Sequence, residues 1–163
     1  MAANRTQIGI ALGAGGLLVF AFLGYLWWLS NQGPVLARSE ERDPLTSLPL
    51  EIKMNPLRDR SEEHAAGKFL REMQSGECND VLADWEHDYR KKYARFICDS
   101  ESQHKLVSWK LAEWEDTPPS LSLHYRTRRE NGSGQSGTYQ DLATVTLEKQ
   151  NGEWVVTKYL PFN

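Results

Sequence analysis

Few residues in this 163-residue chain stand at spacings that could do chemistry. Asp84 and Asp88 are four apart, so on a helix their carboxylates share one side, as a paired-carboxylate acid–base site would need. Arg90, Lys91 and Lys92 follow at once, and the run reads more simply as a solvated helix edge. Asp141 alternates with Gln140 and Leu142, which puts it on one strand face with Tyr139 and Ala143. If that face turns inward, Asp141 is the best-placed general base in the chain. His64, His87, His104 and His124 are scattered, and no HxH, HExxH or CxxC spacing occurs, so no metal site is expected. No glycine-rich turn follows a strand and opens a helix, so nothing supports nucleotide binding. No cofactor is expected and no catalytic residue is assigned.

Two further groups invite chemistry and lose to simpler readings. His124-Tyr125-Arg126-Thr127-Arg128-Arg129 is basic with an aromatic inside it, a composition that nucleic-acid contacts use. The net charge is −3, and a charged outward strand face that blocks edge-to-edge pairing explains the run better. Attraction to anionic lipid headgroups is a lesser use, and no nucleic-acid partner is expected. Cys78 and Cys98 invite a disulfide in an oxidising compartment. One helix over 79–97 would hold them about 30 Å apart, and a bridge needs Cα atoms within about 7 Å. Either the helix breaks near Glu86–Asp88 and a bridge forms, or both thiols stay free.

The elements that must position these groups begin with an apolar run. From Ile8 to Leu29 there is no charged side chain. As a helix it is about 33 Å long, close to a bilayer's hydrocarbon thickness. Tyr25, Trp27 and Trp28 at its far end suit an interfacial belt. The run exceeds a signal-peptide core. Val35-Leu36-Ala37 resembles a cleavage site but lies well past it, behind Pro34. A single-pass transmembrane anchor is therefore expected over 1–30. Arg5 and the terminal amine oppose Arg38 and Arg42, so the positive-inside count is even. A short head usually stays inside. The reading is an inner-membrane protein with its C-terminal domain outside, periplasmic or extracellular. Gly9 and Gly13 are spaced for close helix approach, although glycine is simply common in spans. The expected partners are membrane lipid, other membrane or envelope proteins, and a second copy.

Residues 31–57 read as a proline-rich linker: Pro34, Pro44, Pro49 and Pro56 stand among charged and small residues. Residues 58–163 read as one soluble α+β domain, with room for a single core. Asp59 or Ser61 can cap a helix carrying Ala65, Ala66, Phe69, Leu70 and Met73 on one face, which Gly76 ends. Asn79 or Asp80 opens another, with Val81, Leu82, Trp85, Tyr89, Tyr93 and Phe96 on one face. Strands follow. Val107, Trp109 and Leu111 alternate with polar residues, as do Leu121, Leu123 and Tyr125, with Pro118-Pro119 between the two runs. Asn131–Gly137 is a turn. Tyr139, Ala143, Val145 and Leu147 lead to Asn151-Gly152, a strong hairpin signal, and then to Trp154, Val155, Val156 and Tyr159. The expectation is helices packed on one face of a curved four-stranded antiparallel sheet behind an N-terminal transmembrane helix.

With its Met73-Gln74-Ser75-Gly76-Glu77 junction, this order of elements and the closing hairpin Val145–Val156, the domain resembles the nuclear transport factor 2 superfamily, the cystatin-like α+β cone. The resemblance covers about Arg58–Phe162, and one strand of the usual set is not evident. It implies a cleft whose candidate lining is Trp85, Tyr89, Trp109, Tyr125, Tyr139 and Asp141. That superfamily holds isomerases and dehydratases, binding modules and membrane-anchored scaffold proteins, so the fold does not choose among them. The tether favours a binding or assembly module. A small-molecule enzyme or ligand carrier using the cone is the alternative, and the absence of a convincing acid–base pair weighs against the enzyme.

Overall fold

The computed structural model describes residues 4–83, 88–132 and 136–161, with side chains from 16 to 82, 93 to 132 and 136 to 161. The chain divides into two compact units, Met1–Ala37 with Lys53–Arg58, and Arg38–Ile52 with Asp59–Asn163.

In the first unit α1 (Asn4–Ser30) is one unbroken helix. Leu17, Leu18, Phe20, Phe22, Trp27 and Trp28 are all exposed on it. Its last turn is closed by polar groups. The Asn55 amide donates to the Leu29 carbonyl at 2.7 Å, and the Ser30 hydroxyl to that of Trp27 at 2.7 Å. These bonds satisfy carbonyls that a helix end otherwise leaves without partners. Among the described residues no helix is long and apolar enough to cross a membrane. The first part of the expected span, Ile8–Gly15, has its side chains outside the described residues. The expected linker carries β1 (Val35–Arg38) and β2 (Ile52–Met54), which pair as a two-stranded sheet.

The second unit is α+β, with helices packed on an antiparallel sheet. α2 (Ser61–Ser75) buries Ala66, Gly67, Phe69, Leu70 and Met73, the stripe its periodicity predicts. Glu62 and Glu63 occupy its first turn, where the helix dipole favours negative charge. Gly76 ends it at φ 91°, and the Glu77 N–H returns to the Glu72 carbonyl at 3.1 Å. A side chain would strain that left-handed position. α3 (Cys78–Ala83) and α4 (Asp88–Gln103) follow, and the single helix considered over 79–97 is not formed, because it would hold Cys78 and Cys98 about 30 Å apart. Cys78 and Cys98 are joined in a disulfide with Cα atoms 5.6 Å apart. The bridge turns Ile97, Cys98 and Glu101 inward. Phe96, expected on the buried face, is instead 66% exposed, and Tyr93 is exposed as well.

Strands β3 (Leu106–Thr117), β4 (Ser120–Glu130), β5 (Thr138–Gln150) and β6 (Glu153–Leu160) form a meander in sequence order. Pro118 and Pro119 sit in the β3–β4 turn. Asn151 (φ 52°) and Gly152 (φ 89°) make the tight β5–β6 turn, as an Asn-Gly pair at positive φ should. Of the Asn131–Gly137 turn, residues 133–135 lie outside the described residues. Alternation decides the core. Leu121, Leu123, Tyr125, Thr127 and Arg129 of β4 are buried while their neighbours are less so. They oppose Leu147, Val145, Ala143, Asp141 and Tyr139 of β5. Val107, expected inward, is exposed, because the β3–β4 register slips between Leu106 and Ser108. Trp154 is only half-buried, beside the Lys149 ammonium.

Residues 38–52 lie on the outer side of this sheet, in the phase of Arg126 and Leu142. Arg126 donates to the carbonyls of Pro49 and Leu50 at 2.9 and 3.2 Å. Arg38 donates to the Glu113 carboxylate at 2.8 Å and to the Trp114 carbonyl at 3.1 Å.

Candidate functional site

The inner face of the sheet has two halves. One is apolar: Leu121, Leu123, Val145 and Leu147 are buried, as are Phe69, Leu70 and Met73 of α2. Burial of this kind supplies most of a domain's driving force. The other half is polar and charged, and it is the candidate site.

Its centre is Arg129, which is 0% exposed in its side chain. Its Nη1 donates to Glu101 Oε2 at 2.9 Å and to the His104 carbonyl at 3.0 Å. Its Nη2 donates to Glu101 Oε1 at 3.0 Å and to the Tyr159 hydroxyl at 3.0 Å. The Tyr159 hydroxyl in turn donates to Glu101 Oε1 at 2.8 Å. Three elements are thereby locked together: α4 through Glu101, β4 through Arg129 and β6 through Tyr159. Burial works against the Arg129 charge, yet its hydrogen bonds to Glu101 hold its pKa above the ordinary value. Tyr159 has its pKa raised by burial and by the nearby Glu101 charge. It is a hydrogen-bond bridge at any physiological pH. Its ring meets Phe69 edge-on at 5.1 Å, which ties the charged half to the apolar one.

Asp141 approaches the same guanidinium, with Oδ2 3.9 Å from Arg129 Nε. Its Oδ1 accepts the Leu142 N–H at 2.8 Å. Burial pushes the Asp141 pKa up, against the opposing pull of the Leu142 N–H and Arg129, and the Glu101 charge adds to the rise. Two carboxylates thus converge on one guanidinium. Across the sheet Asp141 faces Thr127, which faces Trp109 on β3. His104 lies edge-on to the Tyr139 ring at 5.7 Å. A side chain at Gly132 would come within 2.9 Å of the His104 ring, so this glycine permits the close approach.

Of the expected cleft residues, Trp109, Tyr139 and Asp141 stand together at the polar half of the inner face, all three half-buried. Tyr125 is buried one row away, beside Ala143, and burial raises its pKa. Trp85 lies outside the described residues, and so does the Tyr89 side chain. Asp84 and the Asp88 side chain fall there too. Among the described residues no tyrosine hydroxyl is hydrogen-bonded to Asp141. Among them, too, no group of three or more His, Cys, Asp or Glu side chains could hold a metal ion.

Sequence reasoning passed over Glu101, Thr127, Arg129 and Tyr159 as site residues. Arg129 was legible: it stands in the same alternating phase as Leu121, Leu123 and Tyr125, which forces it inward. The basic run around it drew attention to the outer face instead. Arg126 and Arg128, in the opposite phase, do face outward, where Arg128 donates to the Thr138 hydroxyl at 2.8 Å.

No family model matches the sequence, and no curated protein does. Solved structures similar to it include an SEC-C motif containing protein from Rhodopseudomonas palustris. That match has 8% identity and TM-score 0.47 and covers 65% of this chain and 83% of the other. An NTF2-like designed protein matches at 19% identity and TM-score 0.44, over 61% of this chain and 99% of its own. A protein described as an NTF2-like transpeptidase from Campylobacter jejuni matches at 17% identity and TM-score 0.34, over 58% and 94%.

Proposed function

We propose that this chain is a single-pass membrane-anchored binding or assembly module, with a cystatin-like cone held outside the inner membrane. The observation that carries the reading is α1. Its large apolar side chains from Leu17 to Trp28 are exposed around the helix, and water is a poor solvent for such a surface. The Cys78–Cys98 disulfide supports this reading, because such bridges persist in oxidising compartments outside the cytoplasm. Exposed Phe96 on α4 supports contact with a partner. Tethering confines such partners to one surface, so weak contacts gain effective concentration. The Glu101–Arg129–Tyr159 network speaks against catalysis at the centre of the cone, because its members are hydrogen-bonded to one another. A ligand carrier is the second reading, favoured by the position of Asp141 on the inner face.

The test is topological. Protease added to cells with a permeabilised outer membrane is expected to digest the domain. Protection of the domain while a periplasmic control is cut reverses the orientation. A mature chain beginning at Arg38 shows a cleaved signal instead of an anchor. Crosslinking and capture of the whole protein from detergent then identifies the assembly partner.

A further inference from the structure

One row of the inner face is incompletely satisfied. Thr127 is 1% exposed, yet its hydroxyl oxygen has no hydrogen-bond partner among the described residues. Directly opposite it on β5, Asp141 Oδ2 is buried and also without one. Facing residues on adjacent strands have Cβ atoms about 5 Å apart, so a single atom between them can reach both oxygens. A buried hydroxyl or carboxylate oxygen left unpaired is costly, and such groups are normally paired in folded proteins.

The chemistry of the missing partner follows from charge. Both oxygens can accept. Arg129 gives both its terminal nitrogens to Glu101 and approaches Asp141 only at 3.9 Å. Asp141 is therefore the less neutralised of the two carboxylates on that guanidinium; burial raises its pKa against the pull of the Leu142 N–H, Arg129 and His104. A neutral hydroxyl would satisfy the hydrogen bonds and leave the charge. A protonated amine brings up to three donors and the compensating charge together. The Asp141 side chain is 17% exposed and Trp109 and Tyr139 beside it are half-buried, so an amine reaches the two buried oxygens by displacing these outer side chains. Trp109 faces Thr127 from the other side and offers an indole, the aromatic ring that cations favour most.

We propose that Asp141 and Thr127, flanked by Trp109, form a binding subsite for a small protonated amine, which donates to Asp141 Oδ2 and Thr127 Oγ1. The site adds a small-ligand function to the tethered module and does not depend on the tether or its orientation.

The experiment uses the whole chain, 15N-labelled at tryptophan, in an uncharged maltoside detergent. The indole N–H of Trp109, assigned with Trp109→Phe, is followed during titration with methylammonium, n-butylammonium and phenethylammonium, and with 1-butanol as the neutral match. At least one amine is expected to shift the resonance saturably, and the alcohol to leave it unmoved. Asp141→Asn keeps the shape and removes the charge, and is expected to weaken the amine about tenfold or more. Thr127→Val is expected to weaken it less, since it removes a neutral acceptor. An unchanged spectrum elsewhere shows that each variant is folded, and the amine–alcohol comparison needs no variant. Equal response to amine and alcohol overturns the proposal, as does unaltered affinity in Asp141→Asn. If no amine moves the resonance, the pair is a buried-water position and the proposal fails.

Discussion

Replacing Arg129 by methionine should be among the most damaging single changes in the domain. The perturbation removes a charge and leaves a side chain of similar length. Glu101, 4% exposed, then keeps its hydrogen bond from the Tyr159 hydroxyl but loses both from the guanidinium. In the native protein the guanidinium and carboxylate meet at 2.9 and 3.0 Å. With charge centres about 4 Å apart, an effective dielectric near 20 gives an attraction of about 4 kcal/mol. Desolvating each ion costs several kcal/mol, so the intact pair has little net worth, whereas a widowed carboxylate retains the full penalty. The expected cost of Arg129→Met is therefore about 3–5 kcal/mol, a large share of the roughly 5–15 kcal/mol that holds a typical domain folded. Glu101→Leu should cost a similar amount by stranding the arginine. The double variant should be much less destabilised than the sum of the two, by at least about 2 kcal/mol. Urea unfolding of the whole chain in maltoside, followed by near-ultraviolet circular dichroism, measures all three. Additive effects, or an Arg129→Met cost under about 1 kcal/mol, would refute the reasoning and mean that water already reaches the pair.

Two further outcomes follow from the same structure. Replacing both Cys78 and Cys98 by alanine should destabilise the domain by about 3 kcal/mol, the loop-closure value for a separation of 20 residues, read in the same unfolding assay; a change within error would show that the reduced chain is already constrained there. Asp141→Asn should stabilise the protein at neutral pH by roughly 1 kcal/mol, because it removes a buried charge with an unsatisfied oxygen. The sign follows from its pKa, which folding raises above 3.8. Ionised Asp141 then costs stability at neutral pH, and the cost vanishes as pH falls through the raised folded value toward the unfolded one. The advantage of the variant should shrink over that same descent, and an advantage that grows on acidification would reverse the assignment.

Much of the architecture was legible because local signals and global pattern agree. Gly76 and Asn151-Gly152 fixed a helix end and a hairpin through backbone conformations that few residues tolerate. The period of two set the inner face of β4 and β5. What escaped depended on tertiary constraints. No glycine or proline stands between Cys78 and Cys98, so propensity alone joined α3 and α4. With Cys98 buried in the disulfide, Phe96 lies on the outward side of α4, whereas a continuous helical stripe had placed it inside. Val107 failed for a local reason, a register slip that alternation cannot anticipate. At the site, Asp141 was found by its strand phase, whereas Glu101 and Tyr159 matter only through Arg129. A network assembled from α4, β4 and β6 leaves no contiguous motif.

The two halves of the inner face divide the work of folding. The apolar half drives collapse, but such contacts are non-directional and would tolerate α4 in more than one position. The charged half is directional. Arg129 offers a planar fork, and Glu101 fills it with both oxygens, so sliding α4 by one residue would strand an ion. The disulfide constrains the same helix at Cys98, one turn earlier. The disulfide and the ion pair are two separate restraints on one helix. They make sense if the position of α4 matters beyond the core. Its outward side presents Phe96, and its inward side sets the charge balance that leaves Asp141 under-neutralised. On the two proposed readings, a fixed α4 would hold the partner surface and the amine subsite in one geometry, which links them through a single element.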